Sequence, residues 1–115
     1  MDHKELKVWK NAIDSVTEIY KISSAFPKTE IYGLTEQLRR AAVSVPSNIA
    51  EGAARGSDKE FIHFLYISLG SLAEAETQII IAKRLGYLGD NKEILNSLQT
   101  IRKMLTGLIK YLKNK

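Results

Sequence analysis

Apolar side chains recur at intervals of three and four residues in four separate segments of this sequence, and nowhere do they alternate as a strand requires. That period places them along one face of an α-helix, so each segment has a face that must be buried. The third segment carries the pattern furthest. Phe61, Leu65, Ser68, Leu72, Ala75, Ile79 and Ala82 repeat at strict four-three spacing. It opens on Ser57-Asp58-Lys59-Glu60, a capping box in which the serine hydroxyl accepts from the amide of Glu60 and the glutamate returns to the amide of Ser57. It runs to about Leu85, where Gly86 suits a C-terminal cap.

The other three segments follow the same logic. The first runs roughly from Glu5 to Ser24 with Leu6, Trp9, Ile13, Val16 and Tyr20 as its stripe, widened by Ala12 and Ile19. Phe26-Pro27 stops it, because a residue before proline avoids the α region. The second runs roughly from Ile31 to Ala54, with Leu34, Leu38, Ala41, Val45 and Ile49 inward. Pro46 lies inside it, removes the bond to the carbonyl of Ala42, and predicts a kink. Its small residues Ala41, Ala42, Ser44, Ser47, Ala50, Gly52, Ala53 and Ala54 allow a neighbouring helix to approach closely. The fourth follows a second box, Asp90-Asn91-Lys92-Glu93, and carries Ile94, Leu98, Ile101, Leu105, Leu108 and Leu112. Links of roughly 3–7 residues favour antiparallel neighbours, and a 3.5-residue repeat favours crossing angles of about 20°. The expected fold is all-α: an antiparallel up-down four-helix bundle, kinked at Pro46, as a single domain over residues 1–115.

The third segment is too apolar for one buried face. Beside its main stripe stands a second one of Ile62, Tyr66, Leu69, Ala73 and Ile80. One account puts this helix at the centre, touching all three others. The other packs the second stripe against another copy of the chain, which makes these five residues candidates for an oligomer interface.

Residue types that carry chemistry are sparse. With no cysteine, disulfides, thiolate metal sites and cysteine nucleophiles are excluded together, and the composition suits a reducing cytosol. The charged N-terminus lacks the apolar stretch of a signal peptide, and no apolar run is long enough to span a membrane. A di-metal centre in a bundle needs two Glu-x-x-His pairs. Only Glu60-Phe61-Ile62-His63 has that spacing, and Glu60 already serves the cap. There is no Gly-x-Ser-x-Gly run and no phosphate-binding glycine loop. The expectation is therefore no catalytic residue, metal, cofactor or small-molecule substrate.

Charge is the remaining feature. A net +4 and a pI near 9.3 permit a polyanionic partner without requiring one. Beyond Ile94 the chain holds Arg102, Lys103, Lys110, Lys113 and Lys115 and no acidic residue; Lys83-Arg84 adds a pair. These are either solvated faces and helix-dipole compensation or a cationic surface for nucleic-acid phosphates, which would bind with little sequence choice.

The run Leu38-Arg39-Arg40-Ala41-Ala42-Val43-Ser44-Val45-Pro46-Ser47-Asn48-Ile49-Ala50-Glu51-Gly52 resembles the hallmark of the four-helix-bundle proteins named after intervening sequences in bacterial 23S ribosomal RNA. Lys59-Glu60-Phe61, Leu69-Gly70-Ser71-Leu72-Ala73-Glu74, Glu76-Thr77-Gln78, Ala82-Lys83-Arg84-Leu85-Gly86-Tyr87-Leu88 and the opening Leu6-Lys7-Val8-Trp9 extend the likeness over nearly the whole chain. The resemblance implies a four-helix protomer, a ring-like homopentamer and no enzymatic activity. Relatives include the accessory variability determinant of diversity-generating retroelements, which binds its reverse transcriptase and nucleic acid through basic surface. An RNA or a reverse-transcriptase-like protein is thus an implied partner. The matching positions Arg39, Arg40, Arg55, Lys83 and Arg84 join Arg102, Lys103 and Lys110 as candidate polyanion contacts. Glu36 to Arg40 and Glu51 to Arg55 are also i, i+4 pairs in the favoured orientation, so some of these arginines have an ordinary structural role open to them.

Overall fold

The computed structural model describes residues 1–115. It contains four long helices, α1 Lys7–Ser23, α2 Leu34–Ala53, α3 Asp58–Arg84 and α4 Lys92–Lys113, with 3-10 turns at His3–Glu5 and Lys28–Glu30 and no strand. Each helix packs on its two neighbours in the order α1, α2, α3, α4 and back to α1, while α1 and α3, and α2 and α4, do not meet. The section is therefore square, and α3 lies at a corner rather than at the centre. Cross-helix contacts run in opposite sequence directions. Ser71 meets Ser44 and Ser68 meets Val45; Glu76 meets Arg102, Tyr66 meets Lys113 and Asp58 meets Lys115. The envelope is 46 × 24 × 20 Å, its long axis set by α3, whose 27 residues extend about 40 Å.

All seven positions of the α3 stripe are buried, and α4 buries Ile94, Leu98, Ile101, Leu105 and Leu112, with Ile109 rather than Leu108 completing the row. In α2, Leu38, Ala41, Val45 and Ile49 are buried. The expectation for α1 is corrected by one residue position. Its core row is Val8, Ala12, Ser15, Ile19 and Ser23, while Ile13 and Tyr20 remain 38% and 42% exposed. The bulkier stripe faces outward because α1 approaches its neighbours through small residues. Ser15 and Ser23 tolerate burial by donating to the carbonyls of Ala12 and Ile19, both at 2.7 Å.

α1 and α2 are also separated by more chain than expected, since α1 stops at Ser23 and α2 begins only at Leu34. The extra length folds back on the α3–α4 link. Phe26 is buried against the Tyr87 ring at 5.9 Å, and the Tyr87 hydroxyl donates to Glu30 at 2.9 Å. Glu30 in turn accepts the first amide of α2, Leu34, at 3.2 Å.

α2 is helical without interruption through Pro46, so the proline does not divide it. Beside it the buried Ser68 hydroxyl donates to the carbonyl of Val45 at 2.9 Å. About two turns later α2 and α3 approach closely at Gly52. A Cβ at Gly52 would lie 2.8 Å from Phe64 Cβ and 2.9 Å from Phe61 Cδ1.

The helix ends follow the expected chemistry in part. Ser57 Oγ accepts from the Glu60 amide at 3.2 Å, but the Glu60 carboxylate returns to the Ser57 hydroxyl, not to its amide. Asp90 does not form the second box. The position before α4 is Asn91, which makes no side-chain cap, and Asp90 Oδ1 accepts from the Lys92 amide at 2.9 Å, one residue too early. At the end of α3, Gly86 has φ +80°, and the amides of Gly86 and Tyr87 donate to the carbonyls of Lys83 and Ala82. That is the Schellman pattern, which favours glycine because L side chains avoid this φ.

Candidate interaction surfaces

The eight cations singled out by sequence divide into two sets. Arg40 pairs with Glu36 at 3.6 Å and Arg55 with Glu51 at 3.1 Å, both along α2. Arg55 also lies over the Phe64 ring at 4.9 Å. Arg102 joins α4 to α3 through Glu76 at 3.3 Å and donates to Gln99. Arg39 ties α2 to the end of α1: its Nε donates to Ser23 Oγ at 2.8 Å, its Nη2 to the Tyr20 carbonyl at 3.2 Å, and its guanidinium stacks on Tyr20 at 4.5 Å. The second set is free of carboxylates. Lys83 reaches only the Gly89 carbonyl at 3.4 Å, and Arg84, Lys103 and Lys110 are exposed and unpaired. Lys103 and Lys110 are seven residues apart, on one side of α4. Arg84 ends α3 beside the start of α4, so these free cations form a scattered surface, not one patch.

The second α3 stripe lies along the flank that faces α4. Ile62 and Leu69 are half-buried against the core, while Tyr66 and Ile80 are 48% and 42% exposed. Tyr66 is also held by Lys113, whose ammonium donates to its hydroxyl at 2.8 Å. Ala73 is exposed between them. On the opposite side of the square, the outward stripe of α1 meets α2 in an apolar cleft of about 310 Å³, lined by Trp9, Ile13, Val16, Val43, Pro46 and Ala50 among others. No Lys, Arg, Asp or Glu lines it. Its α1 half was visible in the sequence, but that stripe reads equally well as core. Val43 and Pro46, which complete it, stand outside the α2 core row and carried no separate signal.

The residues tested for catalysis stay apart. Glu60 and His63 are both exposed, Glu60 is engaged with Ser57, and His63 packs edge-on against Phe64 at 5.4 Å. No three His, Asp or Glu side chains gather where they could hold a metal ion. A polar groove of about 190 Å³ between α1 and α4 brings Asp14 and Glu18 near Ser15, Ser97 and Thr100, but these hydroxyls donate to the carbonyls of Ala12, Glu93 and Asn96 and not to a carboxylate. The phenol of Tyr87 is held above its ordinary pKa of 10.0 by its hydrogen bond to Glu30, with burial and the carboxylate charge adding to the effect. That is the expected behaviour of a structural clasp. No helix is long and apolar enough to cross a membrane.

These features define a four-helix bundle with two partly exposed apolar faces. Residues 4–107 match the family described as 23S rRNA-intervening sequence protein, and the chain belongs to that family. Among solved structures it is similar to a protein of unknown function from the S23 ribosomal protein family of Bacteroides thetaiotaomicron VPI-5482. The two share 25% identity and a TM-score of 0.80, over 90% of this chain and 98% of that one. No curated protein matches the sequence.

Proposed function

We propose that the protein is a non-catalytic scaffold that assembles with further copies of itself and offers a basic surface to RNA or to a ribonucleoprotein partner. The observation that carries this reading is the pair of unlike apolar faces. The α1–α2 cleft and the α3 flank of Tyr66, Ala73 and Ile80 lie on opposite sides of the square. Faces on opposite sides of one protomer can cover each other only in a head-to-tail contact, and such a contact closes into a ring when its rotation permits. A ring of this kind is what the family likeness suggests, and it fits the arrangement better than an isolated protomer.

The RNA part of the reading rests on Lys83, Arg84, Lys103 and Lys110, whose charges are not neutralised within the protomer. If each meets one phosphate, the slope of log K against log salt for single-stranded RNA is about −2 to −3 per protomer. Filter binding over a salt series measures it. Lys103→Glu with Lys110→Glu removes two of the four contacts and should cut the slope by about half while the helical content is unchanged. Binding that ignores salt, or no binding at low salt, contradicts this part and favours a second reading, a protein-interaction adaptor. The pairing of Arg39, Arg40, Arg55 and Arg102 within the protomer speaks for that alternative.

A further inference from the structure

Where α1 ends and α2 begins, a cleft of about 110 Å³ opens between the two helices and the link that joins them. Arg39 and Lys28 line it together with Ser23, Ser24 and Thr35, over an apolar floor that includes Phe26. Three features of this cleft belong together.

The first is the charge state of Arg39. Arg39 is half-buried as a residue, with its Nη2 end exposed, and it is bonded only to neutral oxygens, Ser23 Oγ and the Tyr20 carbonyl. Arg40, Arg55 and Arg102 all have carboxylate partners, and Arg39 has none. Two of its five N–H groups are used, which leaves three free. A partly desolvated charge without a counter-charge is costly, and the carbonyl end of α1 offsets it only in part.

The second feature is Thr35. It is 6% exposed and lines the cleft, and its hydroxyl has no hydrogen-bond partner in the chain. The neighbouring serines differ, because Ser23 and Ser24 spend their hydroxyl protons on the carbonyls of Ile19 and Lys21. The only fully enclosed unpaired side-chain polar atom of the chain is Gln78 Oε1, so the Thr35 hydroxyl is open to the cleft and free to donate to an acceptor bound there. The third is Lys28, exposed at the rim with no carboxylate partner. The amides of Thr35 and Glu36, in the first turn of α2, also have no backbone acceptor, as is usual at a helix start. Glu30 stands at this end of the helix too, but its oxygens are taken by the Leu34 amide and the Tyr87 hydroxyl, and it does not line the cleft.

From these three features we infer that the α1–α2 cleft is a binding site for a single phosphate group, with Arg39 as the fixed charge, Thr35 as a hydroxyl donor and Lys28 closing the rim. The volume admits a tetrahedral oxyanion and little more. A free phosphate and a backbone phosphate of a nucleic acid present the same oxygens, so both are possible sources. The site does not depend on the RNA reading above, because inorganic phosphate alone tests it.

The experiment is a titration of the full chain with inorganic phosphate at constant ionic strength, followed by amide and arginine Nε–H resonances. The expected result is saturable shifts confined to Ser24, Lys28, Thr35 and the Arg39 side chain. Thr35→Val keeps the shape of a buried residue and removes the donor; it should weaken binding about tenfold, the scale of a hydrogen bond to a charged group. Lys28→Ala, at an exposed position, should weaken it about threefold. A short oligoribonucleotide then separates the sources. Competition with phosphate for the same resonances assigns the site to backbone phosphate, and no competition assigns it to the free ion. Shifts that are diffuse, or that Thr35→Val and Lys28→Ala leave unchanged, overturn the inference, and Arg39 is then only a tie between two helices.

Discussion

Replacing Gly52 by alanine tests the close approach of α2 to α3. Two opposed effects meet there. Alanine is preferred over glycine inside a helix by about 1 kcal/mol, so a free position gains stability from the change. At Gly52, however, the new methyl lies 2.8 Å from Phe64 Cβ, 2.9 Å from Phe61 Cδ1 and 3.2 Å from the Phe61 carbonyl oxygen. Carbon atoms pack best at about 3.5–4.0 Å, so α2 and α3 must separate locally by roughly 0.7 Å. Two of the three atoms are a Cβ and a carbonyl oxygen, which cannot rotate away. Overpacking of this kind costs about 1–3 kcal/mol and outweighs the helical gain. The net expectation is a loss of up to about 2 kcal/mol, or up to about 10 °C in Tm. Gly107, exposed in α4 with no atom within 4 Å of its would-be Cβ, is the internal control: Gly107→Ala should raise stability by about 0.5–1 kcal/mol. Urea unfolding at one fixed protomer concentration, where the midpoint moves and the slope does not, measures both. If Gly52→Ala stabilises as much as Gly107→Ala, the close packing of α2 on α3 is wrong.

Three further outcomes follow from particular contacts. Ser57→Ala should cost about 1 kcal/mol through loss of the α3 cap, whereas Asp90→Ala should cost less because Asp90 holds only the Lys92 amide, from one residue outside the cap position; equal losses on thermal melting contradict the difference in geometry. Ser68→Ala removes a fully buried donor to the Val45 carbonyl and should cost about 1 kcal/mol, with no loss if the bond is absent. For Tyr87, the folded pKa stands above 10.0, so the unfolded chain releases this proton first as pH rises. Its contribution is complete below pH 10 and is lost as pH climbs through the folded value. An absorbance titration should show a phenol that ionises above pH 10.0, and Tyr87→Phe should remove that step; an unchanged curve speaks against the clasp to Glu30.

The parts of the fold that were legible in the sequence are those set by local periodicity. In α3 every residue of the four-three row is buried, because its large side chains and its core face coincide. In α1 they do not coincide. Trp9, Ile13 and Tyr20 are the larger residues, but Ala12, Ser15 and Ser23 let the helices approach, so weighting the stripe by size chooses the wrong face by one residue position. The Asp90 box differs because the motif gives spacing alone, and α4 starts one residue later than that spacing implies, after Asn91. Long-range pairings were out of reach altogether. The i, i+4 pairs of Arg40 and Arg55 could be read directly, but the hold of Arg39 on α1, the Tyr87–Glu30 clasp and the vacancy at Thr35 depend on which helices become neighbours. The α1–α2 cleft was half legible, since its α1 residues were identified and then assigned to the core.

The central claim is that one bundle leaves two unlike apolar faces for other copies to cover. Light scattering on the intact chain at tens of micromolar tests it most directly, with Ile13→Asp in the cleft and Ile80→Asp on the α3 flank as partner variants. The account predicts a discrete mass several times the 12.9 kDa of the protomer, reduced by either substitution while the circular dichroism stays helical. A mass of 12.9 kDa for the unaltered chain at every concentration would contradict it.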